Sequence, residues 1–246
     1  NVITRNAKLC DYQKNKKNKY SKSLFNLLKK LELSYKDFKY LSNYCKKKKN
    51  EFMCTADEIE GLNQIKPYIK KIKIGSAELN DSFFLEKIAK LKKITFLSTG
   101  LSNLKEIKKS LNILIRSGLR KEKIYLLHCN SSYPSPDEDL NINVLKSFKK
   151  MFGENIGLSD HSPKINSAIL AVALGAKVIE KHFTLDKNMI GPDHLTSLNP
   201  KEFTKMIKLI RRSEIMLGSQ VKKITLSERK NFKNIRKGIY AKTNIQ

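Results

Sequence analysis

Short apolar runs separated by longer stretches of three- and four-residue periodicity restrict this chain to a parallel-sheet α/β fold. The runs at residues 51–55 (EFMCT), 71–76 (KIKIGS), 94–98 (ITFLS), 124–129 (IYLLHC), 156–159 (IGLS) and 178–183 (VIEKHF) have the length and composition of strands. Between them lie amphipathic segments. Over residues 101–118, Leu104, Ile107, Leu111 and Leu114 recur on one helical face, and Gly118 stands where a helix stop belongs. Residues 80–91, 141–152, 166–174 and 200–217 repeat that pattern. Strand–helix alternation of this kind builds βαβ units, and six of them predict most of a (β/α)8 TIM barrel. An open doubly wound sheet is the alternative, but no glycine-rich fingerprint follows any strand. The first 50 residues offer a polar loop (6–20) and two helices (22–31 and 35–48) without a strand, so two of eight units are missing from the expected barrel. No repeat or low-complexity linker interrupts the chain, which reads as a single domain over 1–246.

Composition narrows the class. Lys and Arg number 50 against 23 Asp and Glu, a net charge of +27 over 246 residues. Such a charge suits nucleic acid or an anionic surface. Only seven of the basic residues are Arg, however, the side chain suited to bidentate phosphate and base contacts. Lys is spread along the chain, and the runs at 14–19 and 46–49 read as solvated helix ends or loops. Neither nucleic acid nor membrane is therefore an expected partner. The longest clean apolar run, residues 168–176, is far short of the roughly 20 residues of a spanning helix. Cys10, Cys45, Cys54 and Cys129 form no CxxC pair, which fits a reducing, cytoplasmic setting, and Cys54 and Cys129 end apolar runs as buried thiols would.

Barrel enzymes carry their chemistry at the C-terminal ends of strands. Here those ends hold Thr55; Lys73, Ser76 and Glu78; Ser98 and Thr99; His128, Asn130 and Ser131; Ser159, Asp160 and His161; and Glu180, Lys181 and His182. Polar residues at six successive strand ends point to a site. His161 and His182 end consecutive strands, so their imidazoles could converge on a divalent ion such as Mn2+ or Zn2+; two unrelated histidines in turns or core are the other reading. Lys73, between Ile72 and Ile74, either snorkels from an edge strand or lines a polar cavity, where with Ser76, Ser98 and Ser159 it could bind phosphate. Glu78 and Asp193 suit acid–base work or the holding of substrate hydroxyls, although Glu78 could equally be a first-turn helix acid. Gly191-Pro192-Asp193-His194 forms a turn-prone loop where a lid would lie, and Tyr133-Pro134 could supply a rigid aromatic wall.

Around these residues the chain resembles the sialic acid synthase family, bacterial enzymes that condense phosphoenolpyruvate with an N-acetylated mannose-type sugar. The matching stretches are KIGSAE (73–78), LSTG (97–100), LLHCNSSYPSP (126–136), GLSDHS (157–162), AVALGAKVIEKHFTLDKNMIGPDH (171–194) and SLNPKEF (197–203), with LLKKLELSYKDFKYL (27–41) upstream. The resemblance implies a divalent metal on His161 and His182, Mn2+ first with Mg2+ or Co2+ as substitutes. It implies phosphoenolpyruvate held by Lys73, Ser76, Ser98, Ser159 and Thr55, and the acceptor sugar held by Glu78, Tyr133 and Asp193, with Ser131 beside them. The implied reaction gives a nine-carbon 2-keto sugar acid and phosphate through C–O cleavage. The acceptor is N-acetylmannosamine or, in the alternative, a 2,4-diacetamido-2,4,6-trideoxymannose leading to a legionaminate-type acid.

The chain also departs from that pattern. The family's first strand, with an EIGxNHxG-like segment, and its second, ending in a KFQ-like run, are not seen. Residues 221–246 read as the start of a linker after a barrel of about 1–220, without the family's C-terminal antifreeze-like domain. Cys54-Thr55-Ala56 stands where a Ser-Thr-Pro run is usual, and Ser131 where Asn or Thr often stands. The expectation is thus a barrel truncated at its N-terminus, poorly stable alone because of its sheet edges, and a homodimer for the full-length protein. An inactive fragment, or a basic nucleic-acid-binding protein, is the reading from a different class.

Overall fold

The computed structural model describes residues 7–14, 23–239 and 241–244. Five parallel strands, β1 (Lys71–Ile74), β2 (Ile94–Ser98), β3 (Ile124–Cys129), β4 (Ile156–Asp160) and β5 (Val178–Lys181), lie side by side in chain order. Strands that pair with their sequence neighbours through helical crossovers curl into a barrel wall, and these five make a half-barrel. The expected strand at 51–55 contributes one bridge, Thr55 to Lys73, and Phe183 bridges Leu198 beyond β5. The expectation of six strands is corrected to five among the described residues, because EFMCT makes no continuous ladder.

The helices are α1 (Leu24–Leu31), α2 (Tyr35–Lys47), α3 (Ile59–Ile65), α4 (Ser82–Lys90), α5 (Leu104–Arg116), α6 (Val144–Phe152), α7 (Asn166–Ala173), α8 (Pro200–Leu217) and the short α9 (Leu226–Arg229) and α10 (Phe232–Ile235). Their ends follow capping chemistry. Asn103 accepts from the Glu106 amide while Glu106 accepts from the Asn103 amide, starting α5; after Arg116, Gly118 takes φ of 100°, which stops it. Pro200 follows the Asn199 cap and opens α8. Residues 6 and 15–20 of the polar loop expected at 6–20 lie outside the described residues, and with them most of the lysine run at 14–19; Asp11–Lys14 forms a 3-10 turn. The lysines at 46–49 are exposed, as expected of a helix end.

Strand alternation sorts side chains between two faces. Ile72, Ile74, Leu97, Ile124, Leu126, Ile156 and Leu158 face the helices and bury against Phe84, Leu85 and Ile88 of α4, Ile107 and Leu114 of α5, and Leu145 and Phe148 of α6. Each such side chain is worth about 1.5–3 kcal/mol. A smaller cluster of Ala168, Leu198, Met206 and Ile210 joins α7 to α8. Residues of opposite parity (Lys73, Phe96, Leu127, Gly157, Ser159, Val178 and Glu180) face the hollow of the half-barrel. Gly157 is required there: a Cβ would sit 2.5 Å from the Val178 carbonyl oxygen. Cys129 is a buried thiol as expected, whereas Cys54 is only half-buried; all four cysteines are free.

Candidate functional site

The inward face and the loops at the carboxyl ends of the strands carry the site. Thr55, Lys73, Phe96, Leu127, Val178 and Glu180 line a cavity of about 330 Å3. Lys73 is buried, with Nζ 3.3 Å from the Glu180 carboxylate and 3.2 Å from the Ile74 carbonyl that accepts from it. Of the two sequence readings of this lysine, its burial against Glu180 favours the cavity, whose remaining lining is largely apolar. Register puts Ser98 two residues beyond Phe96 on the same face, and its buried Oγ has no hydrogen-bond partner. A buried hydroxyl without a partner is a polar group that a ligand could satisfy. Ser159 is buried on β4, and Thr55 is exposed at the open side.

Ser76 and Ser131 meet over Gly100, whose amide donates to Ser76 Oγ at 3.0 Å. A Cβ on Gly100 would lie 2.1 Å from Ser131 Oγ, 2.8 Å from Ser76 Oγ and 3.3 Å from Cys129 Sγ. The LSTG glycine is therefore dictated by close approach of three side chains, and only glycine leaves the two hydroxyls where they are.

The imidazoles of His161 and His182 lie with ring centroids 5.2 Å apart. His161 Nδ1 donates to the Asn130 carbonyl at 2.6 Å, so its Nε2 carries the free lone pair. Burial pushes its pKa down and keeps the ring neutral. Tyr133 stacks on His161 at 4.0 Å and meets His182 edge-on at 5.6 Å, the aromatic wall expected from the Tyr-Pro pair. Asp193 reaches the same place: Oδ2 is 4.0 Å from His182 Nδ1, and Oδ1 is buried without a hydrogen-bond partner. Two imidazoles and a carboxylate oxygen without a hydrogen-bond partner are compatible with a divalent ion completed by water or substrate oxygens. Among the described residues no group of three His, Cys, Asp and Glu side chains forms an all-protein cage.

Glu78 stands half-buried over Gly75, its carboxyl pushed up chiefly by burial and next by the negative charge of Asp57. Asp57 was not among the residues singled out from the sequence, since nothing in Thr-Ala-Asp marks it. Glu180 was seen only as one polar strand end; its parity with His182 was the available signal. Asn130 acts through a backbone carbonyl, which no residue type advertises.

Three strand-end residues need correction. His128, Asp160 and Lys181 have helix-facing parity and stay out of the hollow. His128 Nε2 donates to the Leu140 carbonyl at 2.7 Å and packs edge-on against Phe148. Asp160 and Lys181 form a buried ion pair at 2.7 Å. A polar strand end thus needs the right parity as well as the right end of the sheet.

A half-barrel that gathers a lysine, hydroxyls, carboxylates and paired imidazoles at its carboxyl edge has the layout of a (β/α)-barrel enzyme site. The chain belongs to the NeuB family, the sialic acid synthases, whose sequence profile matches residues 1–222. It is 41% identical to the N,N'-diacetyllegionaminic acid synthase of Campylobacter jejuni, over 100% of this chain and 74% of that protein. It is 34% identical to the like-named enzyme of Legionella pneumophila, over 90% of this chain and 63% of that protein. The crystal structure of N-acetylneuraminic acid (sialic acid) synthetase from Leptospira borgpetersenii, in complex with citrate, superposes with a TM-score of 0.79 at 33% identity, covering 85% of this chain and 72% of that one. These relatives confirm the family and the α/β half-barrel. Among the described residues no helix is long and apolar enough to cross a membrane.

Proposed function

We propose that the chain condenses phosphoenolpyruvate with an open-chain N-acetylated amino sugar and water, giving a nine-carbon 2-keto sugar acid and phosphate. The observation that supports this reading is the burial of Lys73 and of the partnerless Ser98 hydroxyl on the same inward face of the sheet, with the His161–His182 pair at the carboxyl ends of β4 and β5. Lys73 supplies a compact cation, and Ser76, Ser98, Ser159 and Thr55 supply hydroxyl donors for the phosphate. Glu180 neutralises Lys73 until the anion arrives. Glu78, Tyr133 and Asp193, with Ser131 alongside, are assigned to the sugar.

Electrons of the C2–C3 double bond of phosphoenolpyruvate attack the sugar aldehyde carbon, forming the new C–C bond while the carbonyl π pair moves onto the aldehyde oxygen, which takes up a proton to become the new hydroxyl. Water adds to the electron-poor C2, and the C2–O bond to phosphate breaks to leave the ketone. Lys73 and the serines hold the departing phosphate, and Glu78 or Asp193 receives the proton of the adding water. A divalent ion on His161 and His182, Mn2+ or in its place Mg2+ or Co2+, would supply Lewis-acid polarisation of the aldehyde.

N-acetylmannosamine and the 2,4-diacetamido-trideoxymannose are equally supported acceptors, because the relatives include both neuraminate and legionaminate synthases. For the whole protein a homodimer is part of the proposal, supported by exposed Ile215, Met216 and Leu226 beyond the half-barrel. The test is phosphate release from phosphoenolpyruvate carrying 18O on its bridging C2 oxygen. The label is expected in the phosphate; label retained in the organic product would contradict C–O cleavage.

A further inference from the structure

The buried ion pair lies on the helix-facing side of the sheet, one residue from each imidazole, and the Asp160 charge is felt at His161. Asp160 and Lys181 are direct Cα partners across β4 and β5, so the next residue on each strand is His161 and His182. Both side chains are essentially inaccessible, at 0% and 1% exposure. Every polar atom is engaged. Asp160 Oδ2 accepts from Lys181 Nζ at 2.7 Å and from Ser167 Oγ of α7 at 2.6 Å, while Oδ1 accepts from the Ser162 amide at 2.9 Å. Lys181 Nζ also donates to the Ser162 carbonyl and, at 3.3 Å, to its hydroxyl, and the Ser162 and Ser167 hydroxyls meet at 3.0 Å.

This network ties Lys181 of β5 to the Asp160 carboxylate and the Ser162 carbonyl, on either side of His161, and ties Asp160 to Ser167 of α7. A buried ion pair is a poor stability device, since an apolar pair of similar volume often serves as well or better. What it does offer is direction, because short charge-assisted bonds tolerate little displacement. We infer that Asp160 and Lys181 are positioning residues which set the spacing and orientation of the His161 and His182 imidazoles from the opposite face of the sheet. The inference rests on the reading that these imidazoles hold a divalent ion.

Co2+ is the probe, because its visible absorption reports ligand number and geometry apart from turnover. The variants are Asp160→Asn, Lys181→Met and the double Asp160→Leu/Lys181→Met, with His182→Ala as the control for the site itself. Loss of outer supports around metal-bound histidines weakens binding roughly 10- to 100-fold. The double variant is expected to melt cooperatively near the parent temperature and yet bind Co2+ at least about tenfold more weakly, with an altered spectrum. Lys181→Arg, which keeps the charge, is expected to recover part of the affinity. A folded double variant with parental affinity and spectrum would overturn the positioning role. A double variant that does not fold would overturn it too, by assigning the pair to folding. If His182→Ala binds Co2+ like the parent, the metal reading fails at its root, and the failure is distinguishable from that of the clamp.

Discussion

Gly100→Ala isolates the site's packing in one methyl group. The backbone at Gly100 is in a region open to any residue, so alanine brings no dihedral strain. In open space the change would stabilise the protein by about 0.4–1 kcal/mol through the unfolded chain. Here the methyl would lie 2.1 Å from Ser131 Oγ and 2.8 Å from Ser76 Oγ, where ordinary contact begins at 3.4 Å. Ser131 must retreat by more than an ångström, and Ser76 cannot move without stretching the 3.0 Å bond from the Gly100 amide. Overpacking of this kind costs about 1–3 kcal/mol, so the sign of the stability change reverses. Melting followed by circular dichroism should show a fall of roughly 2–4 °C per kcal/mol. Ser76 must give about 0.6 Å to reach ordinary contact, a shift that should also lower kcat/KM for phosphoenolpyruvate, by less than the roughly 100-fold of a full ångström. Adding Ser131→Ala removes the closest clash and should return part of the lost melting temperature. A Gly100→Ala protein that melts at or above the parent temperature would refute the packing argument.

Other outcomes follow from the same geometry. Lys73→Met should raise the KM for phosphoenolpyruvate roughly 10- to 150-fold, the worth of a charge-assisted hydrogen bond of about 1.5–3 kcal/mol; steady-state kinetics with unchanged KM would remove Lys73 from the anion site. Glu78 has a folded pKa above its unfolded value, so its favourable contribution is present below the usual carboxylate range and is lost as pH rises through the folded value. Glu78→Gln should therefore raise the melting temperature more at pH 8 than at pH 4, and the gain should shrink in an Asp57→Asn background that removes the repelling charge; a gain largest at pH 4 would contradict the sign. His128→Ala should lose about 1–2 kcal/mol of stability with the hydrogen bond to Leu140 while KM values stay put, since it faces the helices; a KM change there would mean the parity assignment is wrong.

The fold was legible wherever local rules act alone. The bounds of β2, β3 and α8 were read correctly, because apolar runs, the Pro200 start and the cap residues decide them locally. The strand at 51–55 was misread because a run of apolar residues does not guarantee a pairing partner. His161, His182, Tyr133 and Asp193 are neighbours; the meeting of the two imidazoles follows from their place at the ends of consecutive strands, whereas the family resemblance is what brings Tyr133 and Asp193 to one site. What stayed hidden was the face each strand-end residue takes. Asp160 and Lys181 look as functional in sequence as Ser159 and Glu180, and only the ladder register sends one pair into the hollow and the other into the helix layer. The carbonyl of Asn130 that orients His161 leaves no trace in sequence at all.

The most direct test of the central claim uses the full open reading frame with phosphoenolpyruvate and Mn2+, offering N-acetylmannosamine and the 2,4-diacetamido sugar in parallel. Phosphate would be measured together with the mass of any acid formed. The account expects one of the two nine-carbon 2-keto acids, formed mole for mole with phosphate and lost in His182→Ala. Phosphate release without a condensed acid, or no reaction with either sugar while Mn2+ is bound, would contradict it.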